Sequence, residues 1–267
     1  MSKMKRFLAS LAGLLLAFSA SAQFVDCTRG LLTMPSAEMY SEGTFTITNN
    51  FLNKHFLPTR GWNYNTFGYG VSITIFSRLG VAYVMTIFNG AWRPEDPSTL
   101  TYRERIMRNQ DRHFAARVQV LREGDFAAWV PSLVLGISDP VTGAGKGQYI
   151  GSDVSKGNGY FNRAYIAVAK HFDTAWGDVG AHAAFQYTLR SDFSATGPCA
   201  AVTWEPVWLN REGWFMNSFR ATLEYDAKSL NIGVNASIWE DRFEAMAMLY
   251  GFRWPMFGLR YKLVLKQ

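Results

Sequence analysis

Strict alternation of apolar and polar residues, sustained through segments of about ten residues, recurs along nearly the whole chain and limits its folds more than any other feature. Alternation puts successive side chains on opposite faces of an extended strand, and about ten residues is the length with which a tilted strand crosses a bilayer. Phe67, Tyr69, Val71, Ile73 and Ile75 interleave with Thr66, Gly68, Gly70, Ser72 and Thr74. The same rhythm runs through 178–190, 218–225, 230–238 and 257–266. It is weaker through 44–53, 80–89, 112–122, 129–138, 160–171, 198–205 and 243–250. The total of about twelve strands is even, as in a closed antiparallel transmembrane β-barrel. The fold class is all-β, with a soluble β-sandwich as the alternative, because a sandwich alternates as well.

The spacing between strands favours the barrel. Connections are long near 54–63, 90–111 and 139–159, and short near 77–79, 123–128 and 172–177. With the amino terminus in the periplasm, long loops fall outside and short turns inside, a parity that a sandwich has no reason to produce. The pattern weakens toward the end, where the connection near 206–216 is long. The two folds differ in which face is wet: a sandwich hides its apolar residues, whereas a membrane barrel turns them to lipid and encloses the polar ones.

Residues 1–22 carry Lys3, Lys5 and Arg6, an apolar run from Phe7 to Phe18, and Ala20-Ser21-Ala22, the three-part pattern of a cleaved export signal. The expected organisation is a signal peptide over 1–22, a periplasmic segment over 23–42 and an outer-membrane barrel over 43–267. Cleavage lowers the formal charge from +6 to +3, so nucleic acid is not an expected partner. At 48% hydrophobic and 18% charged, the chain is also too apolar for a disordered one. Cys27, expected at the periplasmic entrance, and Cys199, expected just below an outer loop, would stand roughly 25 Å apart, so two free thiols are predicted.

Motifs for chemistry are few. The histidines at 55, 113, 171 and 182 lack the short spacing of a zinc helix, and neither a metal nor a cofactor is expected. Gly143 to Gly147 lacks the spacing and following helix of a phosphate loop. The protein is not expected to be an enzyme, although His182 or His113 with a nearby carboxylate keeps an envelope enzyme acting on lipid or glycan as an alternative. The polar faces supply Arg117, Gln119, His182, Gln186, Arg220, Glu224, Asn231, Asn235, Arg260 and Lys262 as lumen-facing candidates. Such groups hydrogen-bond sugar hydroxyls and attract acidic sugars, or they pair with one another to fill a narrow interior. Trp62, Tyr83, Trp129 and Trp204 fit an interfacial aromatic girdle.

Three blocks resemble the YjbH/GfcD-like family of exopolysaccharide and capsule outer-membrane proteins. The first is Gly30-Leu31-Leu32-Thr33-Met34-Pro35-Ser36-Ala37 followed by Gly43-Thr44-Phe45. The second joins Asp111-Arg112-His113-Phe114 to the run from Pro131 to Asp139, and the third is Tyr165 to Lys170. Asp111, Arg112, Asp139 and Lys170 are the polar positions that match; Ala164 stands where the family tends to place an acid. The resemblance implies an outer-membrane barrel that helps export or assemble a capsular or other secreted polysaccharide, in a short, single-barrel form. Expected partners are outer-membrane lipid, the polysaccharide and periplasmic export proteins. A purely structural or porin-like barrel is the alternative.

Overall fold

The computed structural model describes residues 25–56, 65–89, 108–140, 161–188, 195–209 and 216–265. The expected signal peptide and most of the long loops lie outside them. Twelve strands form: β1 (Thr44–Leu52), β2 (Thr66–Ile75), β3 (Leu79–Asn89), β4 (Arg108–Leu121), β5 (Ser132–Ser138) and β6 (Arg163–Thr174). The second half comprises β7 (Gly177–Tyr187), β8 (Gly197–Pro206), β9 (Met216–Tyr225), β10 (Leu230–Ile238), β11 (Phe243–Tyr250) and β12 (Trp254–Val264). Each pairs antiparallel with its sequence neighbour, and β1 pairs with β12 from Phe45 opposite Leu263 to Phe51 opposite Phe257. The sheet closes into a barrel, which leaves no unpaired edge.

The faces settle the choice left open by alternation. Ile47, Phe67, Phe114, Ile166 and Val202 are 44–60% exposed and point outward. Thr46, Thr48, Asn50, His113, Arg117, Gln186 and Arg260 are each at most 2% exposed and point inward. A sandwich would reverse this distribution, so that alternative is excluded. The outer face suits acyl chains, which demand that every backbone polar group be paired within the sheet. Trp129 and the half-buried Trp204 sit near the short-turn end, where Phe76, Phe126, Trp176 and Trp239 are exposed like Trp129. Tyr83 differs, lying mid-strand with its ring 5.0 Å from that of Phe114; Trp62 is outside the described residues.

Placing Arg at Ile166, on this outer face of β6 and opposite Leu135 in the middle of β5, is expected to cost about 2–4 kcal/mol of stability in lipid. Unfolding in urea from vesicles measures it, and an unchanged midpoint would argue against lipid contact at this face.

The short connections are tight because they use the left-handed region. Phe76 and Ser77, at φ 52° and 55°, lead the three-residue connection 76–78 from β2 to β3, which the bond from Arg78 N–H to the Ile75 carbonyl tightens. Both cysteines are free, as expected, and both are buried. The position given for Cys27 needs correction, however: residues 25–40, part of the 23–42 segment expected in the periplasm, run inside the barrel, and Cys27 packs there against Ala82, Val84 and Ala115.

Candidate functional site

The inward segment has no strand partner, so its backbone polar groups must be satisfied by side chains from the wall. Val25 begins at the long-loop end, in a cluster with Phe56 and Phe161. Asp26 accepts from Ser138 Oγ at 2.6 Å and from Arg163 Nη2 at 3.3 Å. The chain descends to Arg29 and climbs again to Thr33, beside Glu224 and Asp226. It then descends through Glu38 and Tyr40 and leaves at the short-turn end, where Gly43 bonds Thr74 and Leu265.

Two arginines carry most of this anchoring. Arg117 of β4 donates to the carbonyls of Arg29, Ser36 and Glu38, the last at 2.7 Å. Arg260 of β12 donates to the carbonyls of Cys27 at 3.2 Å and Thr28 at 2.9 Å, to Thr48 Oγ1 at 3.0 Å and to the Tyr40 hydroxyl. A guanidinium fork with five N–H donors suits several converging carbonyls where a lysine would not. Gln119 donates to Ala37 O at 3.3 Å. Glu224 supplies the complementary acceptor, receiving Leu32 N–H at 2.9 Å and Thr33 N–H at 2.6 Å. Asn231 donates to Glu224 and Thr33 at 3.3 Å each.

Lumen-facing glycines make the room. A Cβ on Gly233 would lie 2.8 Å from Leu32 Cδ2, and one on Gly70 would lie 3.1 Å from Cys27 Sγ. Gly233→Val is therefore expected to destabilise the plugged state by about 1–3 kcal/mol, read as a lower melting temperature and faster proteolysis of the inner segment. An unchanged melting temperature and cleavage rate would refute this packing.

Free volume remains at the short-turn end, where cavities of about 430, 340 and 400 Å³ adjoin one another around Arg29. Glu38, Tyr40, Arg122, Arg220, Asn235 and Lys262 are among their linings. Opposite, a cavity of only about 30 Å³ lies between Val25, Phe161, Gln186 and Asp226. Arg220 holds Glu38 at 2.8 Å and Glu205 at 2.6 Å, and Lys262 holds Asp241 at 2.7 Å. In the turn between β4 and β5, partial burial pushes the Glu123 carboxyl up, but contacts from Lys170 and His171 outweigh it and hold it below the ordinary value.

The sequence candidates thus divide by role. Arg117, Gln119, Glu224, Asn231 and Arg260 bind the inner segment. Gln186 joins Arg163 to the Asp226 carbonyl, and His182 lies 3.2 Å from Thr203 Oγ1. Only Gln119, Arg220, Asn235 and Lys262 of the original set line the large cavities. Of the family-matched positions, Asp139 is buried and its carbonyl accepts from Asn162, while Lys170 ties β6 to Glu123 and the Ala128 carbonyl. Arg112 faces outward, and the Asp111 side chain lies outside the described residues. Sequence reasoning missed Asp26, Arg29, Glu38 and Tyr40. Their segment has no period, yet it is too apolar around Leu31, Leu32 and Met34 for a solvated tail, and that mismatch was the available signal.

Fold and site together define a closed twelve-stranded β-barrel plugged by its own amino-terminal segment. Residues 27–231 match the YjbH family, described as exopolysaccharide biosynthesis protein YbjH, and the chain belongs to that family. A search of curated proteins found no match. The block Gly30 to Ala37 lies within the plug, where Thr33, Ser36 and Ala37 are held by Glu224, Arg117 and Gln119.

Proposed function

We propose that this protein is an exported outer-membrane barrel that assists export or assembly of an extracellular or capsular polysaccharide, binding the glycan from the periplasmic side without making or breaking bonds. The carrying observation is the cavity system at the short-turn end, which corresponds to the periplasmic face when the amino terminus enters from there. Its individual volumes of 340–430 Å³ fall in the range of ligand sites, and its walls mix cations, carboxylates and an amide. Such walls hydrogen-bond sugar hydroxyls and draw acidic sugars, while distributed weak contacts let a polymer move on. The small cavity at the opposite end and the filled lumen favour this reading over an open, porin-like pore.

Arg122, Asn235 and Lys262 line the cavities without anchoring the plug backbone. Replacing all three by alanine is expected to lower cell-surface polysaccharide several-fold while barrel abundance, followed by heat-modifiable gel migration, stays constant. Unchanged polysaccharide in that variant would remove the glycan role and leave a structural barrel.

A further inference from the structure

His171 and His182 are eleven positions apart, a spacing that suggests nothing in sequence, yet the β6–β7 register makes them diagonal neighbours: His171 opposes Gly180 and Ala169 opposes His182. Both face the lumen. Gly180 leaves the space that the rings use, since a Cβ there would sit 2.7 Å from His182 Nε2 and 3.1 Å from His171 Cδ2. Glu38 of the plug completes the group, and one ligand atom from each of the three residues lies within 4.8 Å of the others.

We propose that Glu38, His171 and His182 bind a divalent transition-metal ion of the zinc type, which pins the plug to the barrel wall. Two imidazoles and a carboxylate are the ligand chemistry that zinc takes. His171 Nδ1 lies 2.8 Å from Glu123 Oε2, so an N–H there directs the Nε2 lone pair toward Glu38 Oε1, 3.2 Å away. In that neutral tautomer the two acceptors face each other, and a cation bridges them. Ligands about 2.0–2.1 Å from a tetrahedral zinc lie about 3.3 Å apart, which this separation already matches. The Glu123 contact is the carboxylate–histidine pairing that orients metal-bound imidazoles.

His182 adds an independent sign. It is 4% exposed, its Nε2 neighbours Thr203, and its buried Nδ1 has no hydrogen-bond partner among the described residues. Arg29 and Arg220 both engage Oε2 of Glu38, keeping the carboxylate ionised and leaving Oε1 to the histidines. The adjoining cavity of about 430 Å³, lined by Glu38 and His171, gives an ion an entry path and supplies water as a fourth ligand. The competing arrangement is a proton in place of the metal, with His171 as an imidazolium between Glu38 and Glu123.

The test uses the folded, untagged protein in detergent, stripped with a chelator and titrated with Zn²⁺ alone. One ion per chain and a higher melting temperature are expected, and Co²⁺ in the same site should show the visible absorption of a tetrahedral centre. His171→Ala and His182→Ala should each abolish stoichiometric binding, with heat-modifiable migration verifying that the barrel remains folded. Should either histidine variant fail to fold, Glu123→Gln serves instead: it neutralises the orienting carboxylate, along with its surface ion pair to Lys170, and should weaken binding about 10–100-fold. Failure of the folded wild-type protein to bind Zn²⁺ stoichiometrically would overturn the proposal and leave the proton. So would binding that survives both histidine substitutions, or an affinity untouched by Glu123→Gln. None of these outcomes depends on the glycan reading.

Discussion

Deleting residues 25–40 is expected to convert the barrel into an ion-conducting channel, raising single-channel conductance in planar bilayers about tenfold or more over the intact protein. Barrels near eight strands are filled by their own wall side chains and those of sixteen or more enclose water, so at twelve strands the contents decide. Here the wall contributes many small residues at lumen positions, among them Gly70, Gly233, Ala82, Ala115, Ala167 and Ala201. Leu31, Leu32, Met34 and Cys27 of the plug occupy the space they leave. Removing the plug also frees the Arg117 and Arg260 guanidiniums from their carbonyl partners. The new channel should therefore prefer anions. A deletion variant that inserts and stays silent would show that the plug is not what closes the lumen.

Arg260→Ala is expected to be the most damaging single substitution, at about 3–5 kcal/mol, the range found when one member of a buried charged network is removed. Arg260 is 1% exposed and serves two plug carbonyls, Thr48 and Tyr40, with Glu244 at 3.6 Å. Truncation removes the donor that these buried acceptors share and takes one cation away from the Glu244 carboxylate. Arg260→Lys should recover only part of the loss, because one ammonium cannot reproduce a planar fork that reaches several acceptors. Arg122→Ala, at the turn end, should stay within about 0.5 kcal/mol. Thermal unfolding and the rate of proteolysis within residues 25–43 measure all three. Equal melting temperatures for the Arg260 and Arg122 variants would contradict the anchoring role.

The strand plan was legible because strands wet on one face obey a period that side-chain chemistry displays openly. The segment read as 230–238 is β10 residue for residue, and 66–75 is β2. Errors gather at ends: 129–138 shortens to Ser132–Ser138, because the turn after β4 runs on to Val130, whose N–H bonds Ala127 O and whose carbonyl accepts from Gly124. The choice of which residues face inward was also legible, down to Arg117, Gln186, Glu224 and Arg260. Their roles were not, since an inward arginine looks the same whether it meets a sugar, another side chain or the protein's own backbone.

Alternation by itself determined twelve extended segments, their even number and the polar set on one face, because the two-residue period is a local property of extended backbone. Closure through β1 and β12, the entry of residues 25–40 into the lumen and the meeting of Glu38 with His171 and His182 were decided only by the tertiary structure. Each depends on which distant groups satisfy one another once water is excluded: a sheet edge that must pair, stray carbonyls that need donors, a carboxylate that needs cations. No periodicity along the chain encodes a partner more than a hundred residues away, and the β1–β12 seam and the contacts of the plug with Glu224, His171 and Arg260 are of that kind.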